Sequence, residues 1–64
     1  LSLVTRREME VLSLIARGAT NSEIAAEMVI AETTVKTHVS SLMSKLAARD
    51  RVALVLFAQR AGIA

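Results

Sequence analysis

Sixty-four residues with a net charge of +2, one histidine, and neither cysteine nor proline make at most one small domain, and they exclude disulfide staples and thiolate metal sites. The longest apolar run, residues 52–58, falls far short of the roughly 18 residues that read as a bilayer span, and no stretch has the layout of a signal peptide. A cysteine-free, helix-favouring composition rich in alanine, leucine, glutamate and arginine suits an all-α domain in the cytoplasm.

Charge is unevenly placed. Residues 1–32 hold three arginines against five glutamates, a net −2, whereas residues 33–64 hold five basic residues against Asp50, a net +4. A basic half beside an acidic one points to a polyanion met on one side.

Four helices are expected, at about 6–17, 21–28, 32–46 and 51–61. Thr5, with Glu8 three residues on, forms a capping box that opens the first. Met9, Leu12, Ile15 and Ala16 recur at helical spacing, Val11 and Leu14 widen the stripe, and Arg17-Gly18 closes it. Leu3 or Val4 can pack on Met9 as a hydrophobic staple. Thr20 and Glu23 form a second capping box before a short helix with Ile24, Ala25 and Met28 on one face. Val29, Ile30 and Ala31 form a three-residue break whose apolar side chains suggest a turn tucked against the core.

The third helix aligns Val35, Val39, Leu42, Met43 and Leu46 in one stripe. Asp50 caps the fourth, which Gly62 ends; Leu54, Phe57, Ala58 and Ala61 are placed on its core side. Two positions are awkward. Ala31 offers no hydroxyl where an N-cap should stand, costing about 1 kcal/mol relative to Ser. Ala47 stands where glycine would relax a left-handed cap, a penalty of roughly 1–2 kcal/mol.

The side of the third helix opposite its stripe carries the candidate site. Thr37 lies at its centre, flanked by Thr33, Ser40, Ser41 and Ser44. Lys36 sits on one shoulder and Thr34, His38 and Lys45 on the other. Short hydroxyls at the centre with longer donors at the edges suit a helix laid in the major groove of DNA, where central residues meet base edges and peripheral donors meet phosphates. Lys36, near the helix N-terminus, can donate to guanine O6 and N7; the Thr37 methyl can touch a thymine methyl; Ser40 can donate or accept. These three are the expected base contacts. Thr20, Asn21, Ser22, Thr33 and Thr34 lie at helix N-termini, where backbone N–H groups favour phosphate. With His38, Ser41 and Lys45 they make up the expected phosphate set. His38 also fits a half-buried packing role, Glu23 a purely capping one, and Met28 and Met43 a place in the core.

The stretches TRREMEVLSLIARGATNSEIA, TTVKTHVSSLMSKL and ARDRVALVLFAQRAGI together resemble the LuxR/GerE-type helix-turn-helix domain found at the C-terminus of NarL-type response regulators and quorum-sensing receptors. The resemblance spans almost all 64 residues and is carried most specifically by TVKTHV with EIA upstream. It implies a four-helix domain whose third helix reads the major groove, with Lys36, Thr37 and Ser40 at base-reading positions and Thr34, Lys45 and the Thr20–Ser22 turn in the phosphate-contacting region. Members usually carry Pro where Arg6 stands, a basic residue where Ser22 stands, Ser where Ala31 stands and Gly where Ala47 stands. The Ser22 departure removes a charge from one phosphate contact.

The fourth helix has a second apolar side, with Val52 and Leu56 beside Ala53 and Gln59. A small domain does not need it for its own core, and the family uses this helix to dimerise. A two-fold dimer on paired DNA half-sites is therefore expected. RNA polymerase is a further candidate partner, and the resemblance implies a regulatory N-terminal domain in the full-length protein. A chain that begins at Leu1 rather than Met reads as one domain, residues 1–64, of a longer bacterial regulator. No catalytic set can be built around a single histidine, and neither cofactor nor metal is expected. Two other readings are a promoter-binding module like that of a sigma factor and a helical protein–protein interaction module. The close TVKTHV match favours the regulator over the first, and steep salt dependence of binding separates it from the second.

Overall fold

The computed structural model describes residues 3–63. Among them the chain forms four helices and no strand: α1 (Arg6–Ala16), α2 (Asn21–Met28), α3 (Glu32–Lys45) and α4 (Arg51–Arg60). α1 packs against both α3 and α4, and α2 lies chiefly on α3. The α2–turn–α3 pair is thus held from behind by α1, against which α4 also packs while touching α3.

Local capping chemistry starts α1, α2 and α4 where the sequence places them. In α1 the Glu8 amide donates to Thr5 Oγ1 at 3.1 Å and the Thr5 amide donates to Glu8 Oε1 at 2.9 Å. The same reciprocal pair joins Thr20 and Glu23 at 3.1 and 2.8 Å. Asp50 Oδ1 accepts from the Ala53 amide at 2.8 Å. α3 alone begins without a side-chain cap, at Ala31, as its missing hydroxyl requires. Val4 takes the staple position: it packs against the core, as does Met9, whereas Leu3 is exposed.

All four helices stop by one device. A residue in the left-handed region is followed by one whose amide bonds back across the last turn. The left-handed residues are Gly18 (φ 89°), Val29 (φ 56°), Ala47 (φ 54°) and Gly62 (φ 73°). The back-bonds run from the amides of Ala19, Ile30, Ala48 and Ile63 to the carbonyls of Leu14, Ala25, Met43 and Ala58, at 2.8–3.1 Å. Each of those four following residues also packs its side chain against the core. The expectation of a break tucked inward is therefore half corrected. Ile30 turns in, but Val29 is 88% exposed, because the left-handed turn swings its side chain to solvent. Three helices end one residue earlier than their periodicity suggests, since Arg17, Leu46 and Ala61 serve as C-caps. Ala61 is exposed rather than on the core side for the same reason.

The core gathers Val11, Leu12 and Ile15 from α1, Ile24 and Ala25 from α2, Val35, Val39 and Leu42 from α3, and Leu54 and Ala58 from α4. Met9, Met28, Met43, Leu46 and Phe57 close its edges. Burying Val35, Val39 and Leu42 fixes the rotation of α3 and turns its opposite side outward.

Candidate nucleic-acid interface

On that outer side Thr33, Thr34, Lys36, Thr37, Ser40 and Ser44 are all exposed. From Thr33 to Lys45 the helix carries no acidic residue. Lys36 takes part in no ion pair among the described residues and projects freely. Thr37 Oγ1 donates to the Thr33 carbonyl at 3.1 Å. That bond occupies its proton and fixes its rotamer, leaving the methyl and the oxygen lone pairs outward; Thr37 can touch a methyl or accept a bond, but not donate one. Ser40 keeps both hydrogen-bonding capacities. The three expected base contacts thus share one exposed surface near the start and middle of α3. His38 is half-buried, at the margin of that surface rather than on it.

The expected phosphate set divides. Thr20, Ser22, Thr33 and Thr34 are exposed at the starts of α2 and α3. Thr20 accepts from Glu23 while keeping its own proton. Asn21 is half-buried, and its Oδ1 accepts from Arg51 Nη1 at 2.6 Å. Only its amide nitrogen is left to face outward.

Ser41 and Lys45 are engaged within the domain. Ser41 Oγ donates to Glu8 Oε2 at 2.6 Å, and Lys45 Nζ donates to Glu8 Oε1 at 2.7 Å. Both face α1, where Glu8 is 5% exposed and its carboxylate, largely out of reach of water, is satisfied by these donors. The Lys45 hydrogen bond, then those of Ser41 and the Thr5 amide, hold the Glu8 carboxyl at about 2, against the opposing pull of burial. The described residues contain no buried side-chain polar atom without a partner.

Sequence reasoning gave Glu8 only its capping role and gave Arg51 none. Arg51 Nη2 donates to the Ala19 carbonyl at 2.7 Å while Nη1 holds Asn21, so the first residue of α4 fastens the loop that enters α2. The partners lie 30 to 37 residues away in sequence, and no local pattern signals them. The expected seam residues behave as their spacing implies: Val52 is 67% and Leu56 46% exposed, Gln59 is exposed and Ala53 half-buried. A surface concavity of about 760 Å³ is lined by α1, the segment before it and the end of α2, with no residue from α3 or α4. No helix of the described residues is long and apolar enough to cross a membrane, and they contain no cluster of metal-ligating side chains.

Residues 2–58 match the family model described as bacterial regulatory proteins, luxR family. The chain is 56% identical over 55 residues to an uncharacterized transcriptional regulatory protein, YhcZ, of Bacillus subtilis, covering 86% of this chain and 26% of that one. It is 52% identical over 56 residues to the response regulator protein VraR of Staphylococcus aureus, covering 88% of this chain and 27% of that one. VraR of Staphylococcus epidermidis matches to the same extent. The chain therefore spans about a quarter of the length of these relatives.

Proposed function

This chain belongs to the luxR family of bacterial regulatory proteins, and from that premise we propose that it binds double-stranded DNA sequence-specifically, with α3 in the major groove. Lys36, Thr37 and Ser40 read base edges. Thr20, Ser22, Thr33, Thr34, the amide nitrogen of Asn21, and His38 at the margin approach phosphates. Two copies meet through α4 at Val52, Ala53, Leu56 and Gln59, which sets paired half-sites on the DNA. In a full-length cytoplasmic regulator the domain delivers an upstream domain's signal to transcription, with RNA polymerase as a further partner.

The single observation that supports this reading best is the acid-free, exposed face of α3, which presents small hydroxyls around one unpaired lysine while its other side is locked into the core. A groove demands close approach at the helix centre and cations or donors toward its edges, and this face supplies both. The test is a fluorescence-anisotropy titration with random-sequence duplex DNA at two salt concentrations. Binding should collapse as salt rises, because cation release drives it. Absence of binding at low salt would remove DNA as the partner and leave the face to a protein.

A further inference from the structure

α3 carries two lysines, and the structure treats them oppositely. Both are exposed residues, but Lys36 forms no ion pair among the described residues, whereas Lys45, its side chain 29% exposed, holds its ammonium 2.7 Å from a nearly buried carboxylate. Glu8 receives three donors on two oxygens: the Thr5 amide and Lys45 Nζ on Oε1, and Ser41 Oγ on Oε2. Swinging Lys45 out to a phosphate would leave that carboxylate buried without its cation, a heavy penalty. A solvent-exposed phosphate contact returns chiefly the release of a counterion. The balance favours Glu8.

We propose that Glu8 is a specificity-determining residue: it withholds Lys45 from DNA, so the C-terminal half of α3 adds no sequence-independent charge contact. Affinity for random DNA is thereby kept low without altering the face that reads bases. The inference rests on the DNA-binding reading above. Glu8 acts through Lys45 and Ser41 and touches no nucleic acid itself.

Four proteins test it: the unaltered chain, Glu8→Gln, Lys45→Gln and the double variant, each titrated by anisotropy against random duplex between about 50 and 200 mM salt. Circular dichroism at low temperature first establishes that each is helical. Glu8→Gln should lose roughly threefold more affinity over that range than the unaltered chain, the mark of one extra phosphate contact. Lys45→Gln should follow the unaltered chain, and the double variant should return to it. A purely structural role for Glu8 would weaken binding without this pattern. A flatter salt response in Lys45→Gln would show that Lys45 already reaches phosphate and would overturn the inference. So would an unchanged slope in Glu8→Gln. Should Glu8→Gln fail to fold, Lys45→Gln decides alone. If the unaltered chain binds no DNA, the underlying reading fails and takes the inference with it; binding with the wrong slope pattern sinks only the inference.

Discussion

Acid should unfold this domain through Glu8, and the size of the effect follows from its surroundings. The carboxyl sits at about 2 in the fold against 4.5 when free. A folded value below the unfolded one means that the stabilisation is fully present above about pH 4.5 and is lost as the pH falls toward 2. That difference corresponds to about 3 kcal/mol, and closer to 2 once the nearness of solvent in so small a domain is allowed for. Domains of this length have roughly 3–10 kcal/mol in all, so one carboxylate carries a large share. Glu8→Gln keeps the shape and removes the charge. Urea unfolding followed by circular dichroism should find the variant about 2–3 kcal/mol less stable at pH 7. The gap should narrow through pH 4 and nearly vanish by about pH 2, where the unaltered chain is protonated too. Other carboxylates titrate in both proteins and cancel in the comparison. Parallel pH profiles, with a constant gap from pH 7 to 2, would refute the assignment of acid sensitivity to Glu8.

Val29→Gly should stabilise the fold by up to about 1 kcal/mol, because glycine relieves the left-handed strain of a β-branched residue and Val29 is exposed; a lower thermal midpoint would show that the turn is unstrained. Arg51→Met keeps the aliphatic stem but removes both bonds to the α1–α2 loop. It should cost about 1–3 kcal/mol in urea unfolding, and no loss would make those bonds ornamental. Lys36→Ala should weaken binding to a selected DNA site by about 1–3 kcal/mol and relax preference at one base position; equal loss on random DNA would deny it a base-reading role. Leu56→Glu should leave the unfolding midpoint almost unchanged while abolishing cooperative binding to paired half-sites, and cooperativity that survives in a gel-shift titration would rule out the α4 seam.

Most of the fold was legible because its signals are local. The boxes at Thr5–Glu8 and Thr20–Glu23, the Asp50 cap and the apolar stripes each act within a turn or two, and all appear where the sequence puts them. Ala47 was read as a strained cap and has the positive φ that reading requires. Val29 was missed, because nothing in an apolar triplet says which member turns left-handed; its exposure follows from that one backbone angle. The outward side of α3 was legible by subtraction, since its buried side was. Ser41 and Lys45 lie on the helical wheel where phosphate donors would, but a wheel knows nothing of a neighbouring helix. Their partner Glu8 arrives from α1, on which a capping role already explained its presence. The same limit hid Arg51, whose partners exist only once α4 lies beside the loop entering α2.

That Arg51 contact has a consequence for how the domain comes apart. α4 is the last helix and leans mainly on α1, which makes it the natural piece to detach first. Yet its opening residue grips the Ala19 carbonyl and the Asn21 side chain. If α4 lifts away, the loop entering α2 loses its fastening in the same event, and the front of the helix-turn-helix loosens with the back of the chain. Among the described residues, α4 and the start of α2 should therefore loosen together, and anything that clamps α4 should also quiet the start of α2 some thirty residues upstream.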